Sequence, residues 1–372
     1  VIRNCHALSA TYRPLIKGYG HTLPLERCAE SRFAWTLIFL RKIDLLGRND
    51  RMSIRRFLFL LFAFAPSFFS QTEESQAQLI KIRATYPSPN VQYLPAYLAQ
   101  TKGIYHQEGL EVELIAMRGA KEGVQALVAG DIQFAMTLGP VLPAIWRGID
   151  LKLLGQMVGM PTFSLIVRPE INRIEELKGK KIGVSFGGMT FALVHDLFKL
   201  HGIDPERGVE YINIPGSSPK VAFLDKGIIA AALIAPPTEF DAIRSGNKRL
   251  VYLGDVMPDV PFTGLIATSR YIKENPQIVK KMVRSTVRAV NVTRQDSEAA
   301  ISVMKSFLKM NAQEATDTYT LVRKAFSPVL TEAGMKRSAA IVSKSAGMQP
   351  TKEPKDYMDL SFLTQVLAEL KR

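Results

Sequence analysis

The chain has 372 residues, with 48 Lys and Arg against 34 Asp and Glu, a net charge of +14, 47% hydrophobic residues and two cysteines. Its length allows a large core divided between two domains, and two cysteines exclude a disulfide-built scaffold. The positive charge is spread without a run of like residues or an aromatic-basic patch, which argues against nucleic acid and leaves a mild field favouring small anionic solutes.

In chain order, Met52 opens "MSIRRFLFLLFAFAPSFFSQTEESQAQ". Arg55 and Arg56 form a basic start, Phe57 to Ala65 an apolar run, and Ser75-Gln76-Ala77 a small-x-small cleavage point before Gln78. The apolar run is shorter than the ~20 residues that span a bilayer. Residues 52–77 therefore read as a signal peptide on an exported, soluble protein. Residues 1–51 lie ahead of it, hold Cys5 and Cys28, and show no clean periodicity; they read as an upstream extension from a start codon placed too early. From Gln78 onward there is no cysteine, so the fold depends on its core.

The next elements come twice. Strands are expected at Ile80–Thr85, Leu110–Ala116 and Ile132–Thr137, and again at Lys181–Ser185, Val209–Ile214 and Ile229–Ile234, alternating with helical patterns. At a shift of 97, "GAKEGVQALVAGDIQFAM" lies over "GSSPKVAFLDKGIIAAAL": Gly119 meets Gly216, Leu127 meets Leu224, and Gly130 meets Gly227. That period is too long for a solenoid and implies two similar α/β lobes, each a mainly parallel sheet covered by helices. The strand-like "FSLIVRP" (163–169) and "FTGLIATS" (262–269) flank the second lobe and read as its hinge. This divides the chain into lobe I, 78–168 plus 264–372, and lobe II, 169–263. After Ile272 the spacing is helical, with helices expected to pack on the first lobe.

Ligands of open α/β sheets bind beyond the carboxyl ends of the strands. Those ends supply Tyr86, Ser88, Asn90 and Tyr93; Arg118 and Gly119; Thr137; Ser185, Phe186, Gly187, Gly188, Met189 and Thr190; Ser217; and Pro237 and Thr238. Gln156 joins them as a candidate. The loops are small, polar and poor in charge, with Arg118 and Lys220 as their basic residues. Gly187-Gly188 lets the backbone approach a ligand closely, and the helix starting at Met189 presents free N–H groups to a carboxylate, sulfonate or phosphate. The alternative is an ordinary strand-to-helix turn.

Catalytic readings are weaker. His195 and His201 stand six apart, outside the i, i+4 geometry of a metal pair. His106 sits in a polar turn without a paired nucleophile, Ser217-Ser218 lacks a G-x-S-x-G elbow, and Glu239 and Asp241 read as solvated helix residues. No catalytic residue, metal or cofactor is expected.

"YLPAYLAQTKGIYHQEGLEVELIAM", "ALVAGDIQFAM", "IEELKGKKIGVS" and "FTGLIATSRYIKENPQIVKKMVR" together resemble the periplasmic solute-binding proteins of the nitrate/sulfonate/taurine and thiamine-precursor group, NMT1/THI5-like and SsuA-like. The resemblance runs from about residue 80 to 345. It implies a type II-like periplasmic-binding-protein fold, with two lobes closing on a ligand in the cleft. It also implies periplasmic location, a monomer, and delivery to an ABC permease with a cytoplasmic ATPase. "KGIIAAAL" and "TLGP" depart from the group's pattern by lacking an acidic residue, which loosens transfer of a nitrate or sulfonate pocket. Two alternatives remain: a thiamine-pyrimidine biosynthetic enzyme of the same fold, disfavoured by the export signal and the cysteine-free mature chain, and a periplasmic sensor module. Tyr86, Tyr93, Phe186, Met189, Phe191 and Phe240 offer apolar walls, so a small organic anion is favoured, its charge at Gly187–Thr190 and its body between Tyr93 and Phe186. A neutral heteroaromatic is the runner-up.

Overall fold

The computed structural model describes residues 78–117, 120–186 and 189–371. The extension and signal peptide expected over 1–77, and the candidates Arg118, Gly119, Gly187 and Gly188, lie outside the described residues.

Among the described residues ten strands follow in order: β1 (Ile80–Tyr86), β2 (Leu110–Ala116), β3 (Phe134–Ala135), β4 (Leu151–Val158), β5 (Ser164–Val167), β6 (Lys181–Val184), β7 (Glu210–Asn213), β8 (Ala231–Ile234), β9 (Lys248–Tyr252) and β10 (Thr263–Thr268). They form two five-stranded sheets, ordered β2-β1-β3-β10-β4 and β7-β6-β8-β5-β9. Within each sheet one strand, β10 or β5, is antiparallel to both neighbours, and the other pairings are parallel. The two orders are the same pattern, with each lobe's reversed strand supplied after the chain has crossed from the other lobe. The repeat seen in sequence is thus a β-α-β-α-β unit, a fourth strand, and a fifth given to the opposite sheet.

The paired glycines mark equivalent turns. Gly130 (φ 86°) and Gly227 (φ 67°) each end a helix in the left-handed region, where a side chain would strain the backbone. In both lobes the next strand begins within a few residues.

The expected hinge needs correction. Ser164–Val167 pairs along its whole length with β8 and β9, and Thr263–Thr268 pairs with β4. These buried apolar runs satisfy their backbone in a sheet and are not free to bend. The crossovers are the segments just before them, 159–163 and 253–262, which contain Pro161, Pro258 and Pro261, residues unable to donate to a ladder. β5 therefore belongs to the second lobe, and the boundary expected at 168 moves back to the first crossover. The two crossovers hold each other: Leu253 N–H donates to the Phe163 carbonyl at 2.9 Å, and the Phe163 and Phe262 rings meet edge-on at 5.3 Å.

The carboxyl-terminal helices pack mainly on the first lobe, as expected. Pro276–Gln295 starts on its proline and buries Val279, Met282, Val283, Val287 and Val290 at helical spacing. It lies against Leu94–Thr101 and Ser361–Glu369. Glu332–Ala346, capped by the Thr331 hydroxyl and closed by Gly347 at φ 61°, does something different. It contacts both Leu142–Trp146 of the first lobe and Met189–Leu200 of the second.

Candidate ligand-binding cleft

The carboxyl ends of β1, β2, β3 and β4 share one edge of the first sheet, because β10 alone runs the other way. β6, β7, β8 and β9 do the same in the second. Because β5 and β10 are reversed, both crossovers leave the carboxyl edge of one sheet and enter the carboxyl edge of the other, which draws the two rows of loops together. Contact is direct at one point: a Cβ on Gly139, in the third loop, would stand 2.5 Å from Cε of Met189. Met189 of the second lobe therefore lies over the first lobe's loop, and its side chain is 4% exposed.

On the first lobe, Tyr86 and Tyr93 come together with ring centroids 5.2 Å apart, above Tyr97. Burial, then the neighbouring Tyr86, pushes the Tyr93 phenol well above its usual pKa, so it stays neutral. Asn90 is committed locally, accepting from Gln92 N–H at 2.9 Å and donating to the Ser88 hydroxyl at 3.2 Å. Thr137 is buried beside Gly139 in the chain. Gln156 is buried with its side-chain oxygen unpartnered among the described residues, as is the side-chain nitrogen of Gln92. Gln92 escaped the sequence reading because its position inside a short turn carries no pattern of its own.

On the second lobe, the Ser185 hydroxyl donates to the Ile214 carbonyl at 3.2 Å, and the Asn213 side chain accepts from Phe186 N–H at 3.1 Å. These bonds hold Ser185 and Phe186 just beyond β6. The Phe186 ring is 52% exposed and meets Phe191 edge-on at 5.3 Å. Phe186 and Tyr93 thus belong to separate aromatic groups, one in each lobe. Thr190 is half-buried in the first turn of the helix. Ser217 precedes Ser218–Asp225 without its side chain capping it. Pro237, joined to Pro236 by a cis bond, leads into Thr238–Arg244.

Two readings of single residues change, those of His106 and Glu239, and His195 gains an environment. His106 lies in the short helix Ile104–Gln107 and not in a turn. His195 is buried among aromatic rings, which holds its imidazole below the usual pKa against the opposing pull of Glu206 and Asp204. Glu239 is fully buried and not solvated, bound to Arg249 and to the Ser164 hydroxyl at 3.0 Å. Burial raises its pKa, while Arg249 and Ser164 oppose the rise. Asp241 is exposed, as expected, and pairs with Arg244.

Ion pairs also link the second lobe to the carboxyl-terminal helices. Asp196 faces Arg337 at 3.5 Å and Lys344 at 3.8 Å, and Arg244 reaches Glu314. Beside Asp196 a cavity of about 560 Å³ opens between the helices 189–200 and 332–346, on the flank of the lobe and away from the strand ends. A second, of about 320 Å³, is lined by Gln156, Gly159 and the second crossover. Among the described residues no group of three His, Cys, Asp or Glu could hold a metal, and no helix is long and apolar enough to cross a membrane.

The sequence profile of the family described as NMT1/THI5 like matches residues 90–300. A protein of Brucella abortus, named only provisionally as a binding protein, is 26% identical over 264 residues, covering 69% of this chain and 80% of that protein. The 4-amino-5-hydroxymethyl-2-methylpyrimidine phosphate synthase of Schizosaccharomyces pombe is 29% identical over 118 residues, 30% of this chain and 33% of the enzyme. The periplasmic aliphatic sulphonate binding protein SsuA of Escherichia coli superposes with a TM-score of 0.62 at 16% identity, over 75% of this chain and 97% of that one.

Proposed function

This chain belongs to the NMT1/THI5-like family, and we propose that it is the extracytoplasmic binding component of an ABC importer, capturing a small organic anion between its lobes. The observation that carries this is the meeting of two carboxyl edges across a pair of crossovers, with Met189 of one lobe lying on Gly139 of the other. Such an edge collects backbone N–H groups and small polar side chains around one crevice. Tyr86 and Tyr93 on one side, and Phe186, Phe191 and Met189 on the other, supply apolar walls for an organic body. The helix start at Met189–Thr190 favours a negative group. A permease and ATPase are its expected partners, and export from Met52 with release near Gln78 gives it access to them.

Opening and closing at 159–163 and 253–262 is the motion that admits the ligand. The test is solution scattering together with a thermal-shift screen of sulfonates, carboxylates and heterocycles. A bound compound should compact the protein and raise its melting temperature, because it binds only the native state. A compound that raises the melting temperature without compaction would refute closure. Amino-terminal sequencing of the exported protein should begin near Gln78, and a mature form that retains Cys5 or Cys28 refutes the leader.

A further inference from the structure

The helix Ser218–Asp225 packs its inner face on the second sheet through Leu224, in a small core with Ile166, Ile214, Ile234 and Ala242. One turn earlier on that same face stands Lys220, 2% exposed. Side chains on a helix lean toward its amino terminus. This helix starts immediately after the β7 loop, so its amino terminus lies on the cleft edge. The Lys220 stem is thereby aimed along the sheet toward the cleft. Its ammonium ends at the Leu233 carbonyl, one residue short of the cleft end of β8, at 3.5 Å. That contact is long, and among the described residues it is the only one Nζ makes.

An ammonium with three donors and one weak acceptor is an unfavourable group to bury, since the lost hydration is not replaced. A methionine of similar length would fill the same space without that penalty. Burial pushes the amine down to about 8, which reports the same mismatch. The one buried carboxylate nearby in the chain, Glu239, does not relieve it: it is committed to Arg249 and Ser164. Ser217 immediately precedes this helix, and Ser185 and the Pro236-Pro237 bond follow β6 and β8 on the same carboxyl edge.

We propose that Lys220 is the residue that reads the charge of the ligand, donating from beneath the second-lobe loops to a carboxylate or sulfonate oxygen in the cleft. This rests on the cleft-binding reading above and deepens it. The negative group is then held chiefly by a buried cation, with the helix start at Met189 as a secondary contributor. A ligand oxygen would complete the donors of an amine that has one long contact within the protein, which turns its burial into selectivity for anions over neutral molecules of the same shape.

The test compares benzoate and benzenesulfonate with benzamide, whose ring is the same and whose charge is zero. Thermal shift and calorimetry are run on the wild-type protein and on Lys220→Met and Lys220→Gln. An anion should stabilise the wild type more than benzamide does, and both substitutions should weaken anion binding tenfold or more while leaving benzamide unaffected. Without ligand, Lys220→Met should melt no lower than the wild type; a merely structural lysine would melt lower when replaced. Anion affinity that survives both substitutions overturns the assignment, as does the absence of any anion-specific shift in the wild type. Benzamide that compacts the protein as well as benzoate does overturns it too, while leaving the cleft reading intact.

Discussion

Lys220 also makes a prediction about stability that needs no ligand. Its amine falls from 10.5 to about 8 on folding, and burial is the cause. Below pH 8 the folded and unfolded states both carry the proton, so the full penalty of the buried charge weighs on the fold. Between pH 8 and 10.5 the folded state releases its proton first while the unfolded state still binds it, and stability rises with pH. Above 10.5 both states are neutral and the gain is complete. A shift of that size corresponds to about 3 kcal/mol at ~1.4 kcal/mol per pH unit. Alkaline pH acts on the rest of the protein as well, so the quantity to measure is a difference. Urea unfolding followed by circular dichroism, at intervals from pH 7 to pH 10.5, would be run on the wild type and on Lys220→Met. The stability advantage of Lys220→Met at pH 7 should shrink steadily through the window by about that amount. Parallel pH profiles for the two proteins would refute both the burial of a charged amine and its release.

Three further outcomes follow from the geometry. Thr190→Ala removes a hydroxyl from the first turn of the cleft helix; if that hydroxyl bonds the ligand's charge, calorimetry should show a loss of ~1.5–3 kcal/mol, roughly ten- to over a hundredfold in affinity. Asp196→Ala removes the contacts to Arg337 and Lys344 that join the second lobe to the bridging helix. Because both partners are well exposed, the effect should be no more than about 1 kcal/mol, seen as a more open ligand-free protein by scattering and a few-fold weaker binding. Gly264→Ala would set a Cβ 2.3 Å from the Gly155 carbonyl, where backbone must move to admit it. Equilibrium unfolding should show a loss of roughly 1–3 kcal/mol, and unchanged stability would mean that β10 and β4 separate freely.

Much of this architecture can be read directly from the chain. The repeat at a shift of 97, carried by residues such as Leu127 with Leu224 and Gly130 with Gly227, determines two lobes of one design. Apolar runs alternating with helical patterns determine their sheets. These features are local or periodic, and each is imposed by the backbone's need to bury one face and satisfy its hydrogen bonds. What a linear pattern cannot supply is the partner of a given strand. β5 and β10 look like connections in sequence, yet each is the reversed strand of the opposite sheet, because a buried apolar run is most stable where both its edges are paired. Burial of charge is equally hidden. Glu239 reads as a solvated helix residue in sequence and Lys220 as a loop residue, and only the packing of two short helices on the second sheet encloses them, one carboxylate answered by Arg249 and one amine left with a single long contact.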